Sequence, residues 1–376
     1  MTTTQRIEGD VLTPQGLIRG ALFHDAGRIT AIEGKPIDEA AWRAGGRPLV
    51  LPGFIDQHVH GGGGRDTMEG GDAIDVIARM HARHGTTSML ATTMTAPLED
   101  IDHAMRALSP ACRQRTPGAA RVLGVHLEGP YINAQKLGAQ PDFVRPPALA
   151  EVMALNTRAP IRLVTLAPEV PGNLDTIALL TAAGFRVQIG HTDADYEQAV
   201  AALQAGATGF THLFNAMSGL HHRAPGAAGA ALAHAKYSEI IPDLLHVHPG
   251  AIRIALRAIP CLYCVTDSTS AAGMPDGEYS LGRQAVFKCL GGVRLADGTL
   301  AGSTLTMDQA LRNLVGLGLP LADASARVST HAADHLGLAD RGRLQPGAWA
   351  DIVVLDADLH LNHVFIEGEA IDIAHA

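Results

Sequence analysis

The stretch Pro52-Gly53-Phe54-Ile55-Asp56-Gln57-His58-Val59-His60, followed by glycines 61–64, decides how the rest of the chain reads. It is an apolar run with strand character. On a strand, residues two apart face the same side. His58 and His60 therefore point together into one cavity at the strand's C-terminal end, where barrel enzymes place their sites. The glycine run allows an open loop and a close backbone approach. By itself, His-x-His reads either as a metal pair or as a packed or surface pair.

Working outward, four more apolar runs carry chemistry at or near their ends. Val125-His126-Leu127-Glu128 ends in a carboxylate, Gln188-Ile189-Gly190-His191 in an imidazole, and Cys264-Val265-Thr266-Asp267 in an acid, while GFTHLFNAM (209–217) holds His212 in mid-run. Taken singly, each is more often a cap or a packing residue. Taken together, they place His-x-His, Glu, His, His and Asp on five strand ends in chain order, and a barrel gathers such ends around one mouth. Nitrogen and carboxylate donors of this kind suit zinc or iron. A cation so held lowers the pKa of water, and a nearby acid shuttles the proton.

The surroundings support a barrel. Short β-rich runs at 86–93, 122–127, 161–166, 185–189, 208–214 and 262–266 alternate with alanine-rich stretches such as Asp195–Ala205, whose apolar residues fall at helical spacing. Strands alternating with helices imply a parallel sheet. About eight such units in 376 residues predict an α/β fold, a (β/α)8 TIM-type barrel. Residues 5–35 and 343–370 instead show β alternation broken by turns. The two ends are expected to meet in a small β-sandwich domain formed by 1–51 and 344–376, with the barrel spanning 52–343.

Composition narrows the function further. Hydrophobic residues make up 47% and charged residues 18%, which is ordinary for a globular chain. A net charge of −9 without a basic run argues against nucleic acid as a partner. Neither a leader nor an apolar segment long enough for a membrane is read, so a cytoplasmic protein is expected. The Cys261-Leu-Tyr-Cys264 spacing lacks a second pair and lies in an apolar run, which predicts buried thiols. Nineteen histidines, several beside glycine or acids, favour a metal.

Longer motifs resemble those of the N-acetylglucosamine-6-phosphate deacetylases of the amidohydrolase superfamily. They are PGFIDQHVHG, HLEGPYIN, GHTDAD, THLFNAM, LLHVHP, VTDSTSAAG and LAGSTLTM, running from about residue 50 to 310, with LGLADRGRLQPGAWADIVVLD beyond. The resemblance implies that Glu128, His191 and His212 are the main metal ligands. His58 and His60 match histidines of the two-metal members, so one or two divalent ions (Zn2+ or Fe2+) are implied, with Glu128 as the bridge. It makes Asp267 the general acid/base. It implies substrate contacts at Ala139, Gln140, Asn215, Ala216, Arg223, His246, Leu300, Ala301 and Gly302. Gln140 stands where some members carry a histidine, which implies a neutral hydrogen bond there. Asp195 and His331 also depart from the pattern, at positions expected to be small or neutral.

Read from its chemistry alone, Arg223 has a planar fork suited to phosphate oxygens, in a polar, glycine-flanked loop (219–226); the alternative is a solvated surface arginine. The implied partner is a small phosphorylated amino sugar, which loses its N-acetyl group, and the implied assembly is a homodimer. Other readings are an N-acetylgalactosamine-6-phosphate deacetylase, a D-aminoacylase, dihydroorotase or dipeptidase on the same metal cluster, and a non-catalytic metal-binding protein.

Overall fold

The structure, a computed structural model, describes residues 4–374. The outermost positions of the expected terminal unit, 1–3 and 375–376, lie outside the described residues.

The quoted stretch is a fully buried strand, Phe54–Val59. It forms one edge of a six-stranded parallel sheet whose other members, in spatial order, are Thr86–Thr92, Arg121–Glu128, Ile161–Leu166, Arg186–Ile189 and Gly209–Phe210. Two further parallel strands, Tyr237–Ile240 and Cys261–Cys264, pair with each other. Backbone bonds link this pair to both edges of the sheet: Leu213 N donates to Glu239 O at 3.0 Å, and Asp267 N donates to His58 O at 2.9 Å. The sheet therefore curls, in keeping with a TIM-like fold. Helices such as Ala73–Arg83, Leu98–Arg113 and Asn173–Ala182 cross between its strands. The strands read as near-continuous apolar runs because both of their faces are covered.

Two strands differ from expectation. The run predicted over 208–214 pairs only at Gly209–Phe210. His212, Phe214 and Ala216 adopt left-handed backbone, with φ of 30°, 79° and 48°, which ends the extended conformation. Tyr237–Ile240, which the sequence reading did not mark, supplies a strand of four residues. Asp195, which departs from the motif the sequence resembles, has a local purpose. It caps the helix Tyr196–Gln204, accepting from Gln198 N at 2.8 Å while the Gln198 side chain accepts from Asp195 N at 2.9 Å.

The two ends of the chain do meet. Strands 5–13, 16–25, 28–37 and 49–52 join 352–355, 361–366 and 369–371 in one seven-stranded sheet. A buried cluster around Val11, Leu22, Ile29, Val50, Leu344, Ile352 and Val354 packs against it. A small antiparallel meander, with strands Gly277–Leu281, Gln284–Cys289 and Gly292–Arg294, was not anticipated and lies beside the mouth of the curled sheet. Of the two cysteines expected to be buried, Cys264 is, and its thiol is pushed up to about 12 by that burial, whereas Cys261, at the strand's start, is only half-buried. Among the described residues, no helix is long and apolar enough to cross a membrane.

Candidate metal centre and substrate pocket

The strand ends converge. His58, His60, Glu128, His191, His212 and Asp267 are all buried in one cluster. The two oxygens of Glu128 face opposite ways. Oε1 lies 3.1 Å from His191 Nε2 and 3.1 Å from His212 Nε2, which are themselves 3.1 Å apart. Oε2 lies 3.1 Å from His60 Nε2 and 3.4 Å from His58 Nε2. Asp267 Oδ1 completes that second group, 3.4 Å from His58 Nε2 and 3.3 Å from His60 Nε2. Two donor sets thus share one carboxylate.

The donor set fits a cation. Ligands about 2.1 Å from one ion stand roughly 3.0–3.4 Å from each other in octahedral or tetrahedral geometry. The separations of 3.1–3.4 Å within each set fall in that window. Ring orientation agrees. His191 Nδ1 donates to Lys136 O at 2.8 Å, and His58 Nδ1 donates to Glu239 at 3.0 Å, which leaves both Nε2 atoms free to bind.

Electrostatics point the same way. Burial alone would hold Glu128 neutral, but His58 and the hydrogen bonds and charges of His191 and His212 outweigh it and hold its carboxyl well below the usual range. Burial likewise opposes charge on Asp267, yet His58 and His60 pull it down to about 2. Burial disfavours charge on His58 as well, and Glu128, Asp267 and Glu239 drive it well up. Three acids around these imidazoles create a demand for positive charge. A divalent cation would meet it.

Backbone strain is concentrated here. His191, His212 and Asp267 have φ of 49°, 30° and 49°, the left-handed region that non-glycine residues rarely adopt. Their surroundings must hold them there. Asp267 is pinned on both sides, its N–H to His58 O at 2.9 Å and its carbonyl to Ser303 N at 2.7 Å.

A cavity of about 230 Å³ opens above the cluster, lined among others by His60, Glu128, His191, His212 and Asp267. Of the substrate contacts implied by the sequence, Ala139, Gln140, Asn215, Ala216, His246, Leu300 and Gly302 are on its wall. Two are not. Ala301 is fully buried, and its N–H is spent on Val293 O at 3.0 Å. Arg223 is exposed, its guanidinium 2.7 Å from His222 Nε2, outside the wall of its own chain's cavity. Gln140 has work besides substrate: its Nε2 donates to Glu128 Oε2 at 2.6 Å while its Oε1 accepts from Thr95 N at 2.7 Å. His246 Nδ1 donates to Asp243 at 2.6 Å. Its pKa is raised because Asp243 and Asp267 outweigh its burial.

Sequence reading missed Met94, Gly138, Leu281 and Thr299 on the wall, and Glu239 behind His58. None carried a clear signal: Glu239 follows Lys236-Tyr237-Ser238 and precedes Ile240-Ile241, so it ends no apolar run.

The model of the amidohydrolase family matches residues 49–371. The chain belongs to the amidohydrolase family. This amidohydrolase is 42% identical to an N-acetylgalactosamine-6-phosphate deacetylase of Escherichia coli O157:H7, over 91% of its own length and 92% of the relative's. It is 39% identical to an N-acetylglucosamine-6-phosphate deacetylase of Lysinibacillus sphaericus, over 86% of each chain. The structure of a Mycobacterium smegmatis N-acetyl-D-glucosamine-6-phosphate deacetylase variant, in complex with N-acetyl-D-glucosamine-6-phosphate, superposes with a TM-score of 0.88 at 34% identity. That match covers 99% of this chain and 100% of the other.

Proposed function

We propose that this amidohydrolase hydrolyses the N-acetyl group of N-acetylglucosamine 6-phosphate, giving glucosamine 6-phosphate and acetate in cytoplasmic amino-sugar catabolism. The observation that carries the reading is Glu128, whose two oxygens each serve a separate histidine pair at the floor of the cavity, with Asp267 beside one pair. A second reading, the galactosamine epimer, is favoured by the 42% identity to an N-acetylgalactosamine-6-phosphate deacetylase.

His191, His212 and Glu128 would hold one divalent ion, and His58, His60, Glu128 and Asp267 a second. Zinc or iron suits both donor sets. Bound there, such ions polarise the amide carbonyl and lower the pKa of attacking water. The residues supply the rest. Asp267, kept ionised by His58 and His60, takes a proton from water as its oxygen bonds to the acetyl carbon. It then gives that proton to the amine nitrogen as the C–N bond breaks. Asn215, Ala216, His246 and the 300–302 segment orient the sugar, so that binding energy far from the amide positions the reacting end.

Arg223 belongs to the same proposal in a different way. Its exposure outside its own chain's cavity supports a homodimer in which each subunit's 219–226 loop serves the neighbour's phosphate. We also read the curled sheet and its partner pair as a closed (β/α)8 barrel over 52–343, and the terminal unit of 1–51 and 344–376 as a β-sandwich. The seven-stranded sheet built from both termini supports the second assignment. The test of function is acetate release from each N-acetylhexosamine 6-phosphate. A kcat/KM at least tenfold higher for the glucosamine epimer upholds the first reading, and the reverse ratio establishes the second.

A further inference from the structure

One buried acid has no place in the chemistry above. Glu239 lies on the Tyr237–Ile240 strand, wholly inaccessible, beneath the cluster and off the cavity wall. A buried carboxylate persists only where it is paired. Both of its hydrogen bonds fall on one atom: Oε2 accepts from His58 Nδ1–H at 3.0 Å and from His212 N–H at 3.2 Å. Its Oε1 is buried without a partner.

We propose that Glu239 is a positioning residue for the His58 side of the centre, fixing the imidazole so that its Nε2 is presented to the ion shared with His60, Asp267 and Glu128. The proposal rests on the two-ion reading above. A carboxylate only accepts, so the shared proton sits on Nδ1. The lone pair is then on Nε2, which faces His60 Nε2 at 3.1 Å, Glu128 Oε2 at 3.4 Å and Asp267 Oδ1 at 3.4 Å. Swinging the ring would lose all three at once. The negative charge behind the ring also makes Nε2 a better donor.

Glu239 is not itself a ligand of an additional ion. His58, His126 and Glu239 do lie close enough together to suggest one. Both nitrogens of His126 are already engaged, however: Nδ1 with Gln57 O at 3.1 Å and Nε2 with Thr165 Oγ1 at 2.7 Å. The effect on the two ions is therefore unequal. Glu239 is hydrogen-bonded to the ring of His58 but only to the backbone of His212.

The experiment is Zn2+ titration of metal-stripped protein against a competing chelator, for wild type, Glu239→Gln, His60→Ala, His58→Ala and the His58→Ala/Glu239→Gln double variant. Wild type is expected to take up two ions. Glu239→Gln should keep one at wild-type affinity and bind the other ten- to a hundredfold more weakly, matching the site lost in His60→Ala. The double variant should be no worse than His58→Ala alone, because Glu239 acts through that ring. Equal retention of both ions in Glu239→Gln, or equal weakening of both, overturns the proposal and leaves the two-ion reading intact. A wild-type protein that takes up a single ion removes the two-ion reading and this proposal with it. A second readout needs no change at Glu239. In zinc-loaded wild type carrying 15N-histidine, His58 Nδ1 must bear a slowly exchanging proton, assigned by its loss in His58→Asn. A bare Nδ1 overturns the proposal even if Glu239→Gln does not fold.

Discussion

Asp267 lines the open cavity while its Oδ1 faces both His58 and His60, so one carboxylate meets the histidine pair and the space for substrate. Replacing it with asparagine keeps an oxygen for the ion and removes the proton acceptor. Asp267→Asn is expected to retain bound metal and lose about 10²–10⁴-fold in kcat. Metal analysis beside steady-state kinetics checks this, and activity within a few fold of wild type would end the shuttle role. That His58, His60, Glu128, His191, His212 and Asp267 come together was legible in the sequence because strand periodicity and position near a strand end are local properties. Glu239 was not, since its meaning depends on a ring 181 residues away. Nor was the bond from Gln140 to Glu128, which joins a loop to a strand end.

Between elements, one cluster of charges ties the terminal sheet to the central strands. Glu367 accepts from Arg121, through Nε and Nη2 at 2.9 Å each, and also pairs with Arg115 and Arg341. Arg341 also pairs with the buried Asp351, whose Oδ1 accepts from Glu367 N at 2.8 Å. Arg341→Ala leaves Asp351 buried without its counter-charge. It is expected to cost about 3–5 kcal/mol in denaturant unfolding; a loss under 1 kcal/mol would contradict that. Glu367 itself titrates against this background. Its burial is outweighed by Arg121 and Arg341, which hold it near 2 rather than its ordinary 4.5. The depressed value means that its contribution is complete above 4.5 and is lost as pH falls toward 2. The melting temperature of Glu367→Gln should accordingly be lower than wild type at neutral pH and converge with it on acidification. Parallel profiles would contradict the assignment. Element prediction failed at Gly209–Phe210 and Tyr237–Ile240 for opposite reasons. In the first, left-handed residues cut short a run whose composition reads as a strand. In the second, the strand is four residues long and two of them, Ser238 and Glu239, are polar.

For the whole molecule, the decisive question is how one chain's loop relates to another's cavity. If Arg223 serves a neighbour, Arg223→Ala should raise KM for the phosphorylated sugar and leave the unphosphorylated one nearly unchanged. Mixed dimers of Arg223→Ala with Asp267→Asn should regain activity, because one of their two sites then has both residues intact. No recovery on mixing, with dimer formation verified, would return Arg223 to its own chain or to the solvent. The parallel sheet was legible from the alternation of strand and helix patterns, and the sheet shared by the two ends from β alternation broken by turns in both. The meander over 277–294 was not, because its strands are short and half-exposed and carry no periodic signal. The central claim is that two histidine pairs bridged by Glu128 drive removal of the acetyl group. Its most direct test is acetate release from N-acetylglucosamine 6-phosphate by protein of measured metal content, before and after exhaustive chelation. The account predicts one acetate per amino sugar formed, loss of turnover on chelation, and recovery with zinc or iron in step with uptake of two ions per chain. Protein carrying both ions that releases no acetate from either hexosamine phosphate would contradict it.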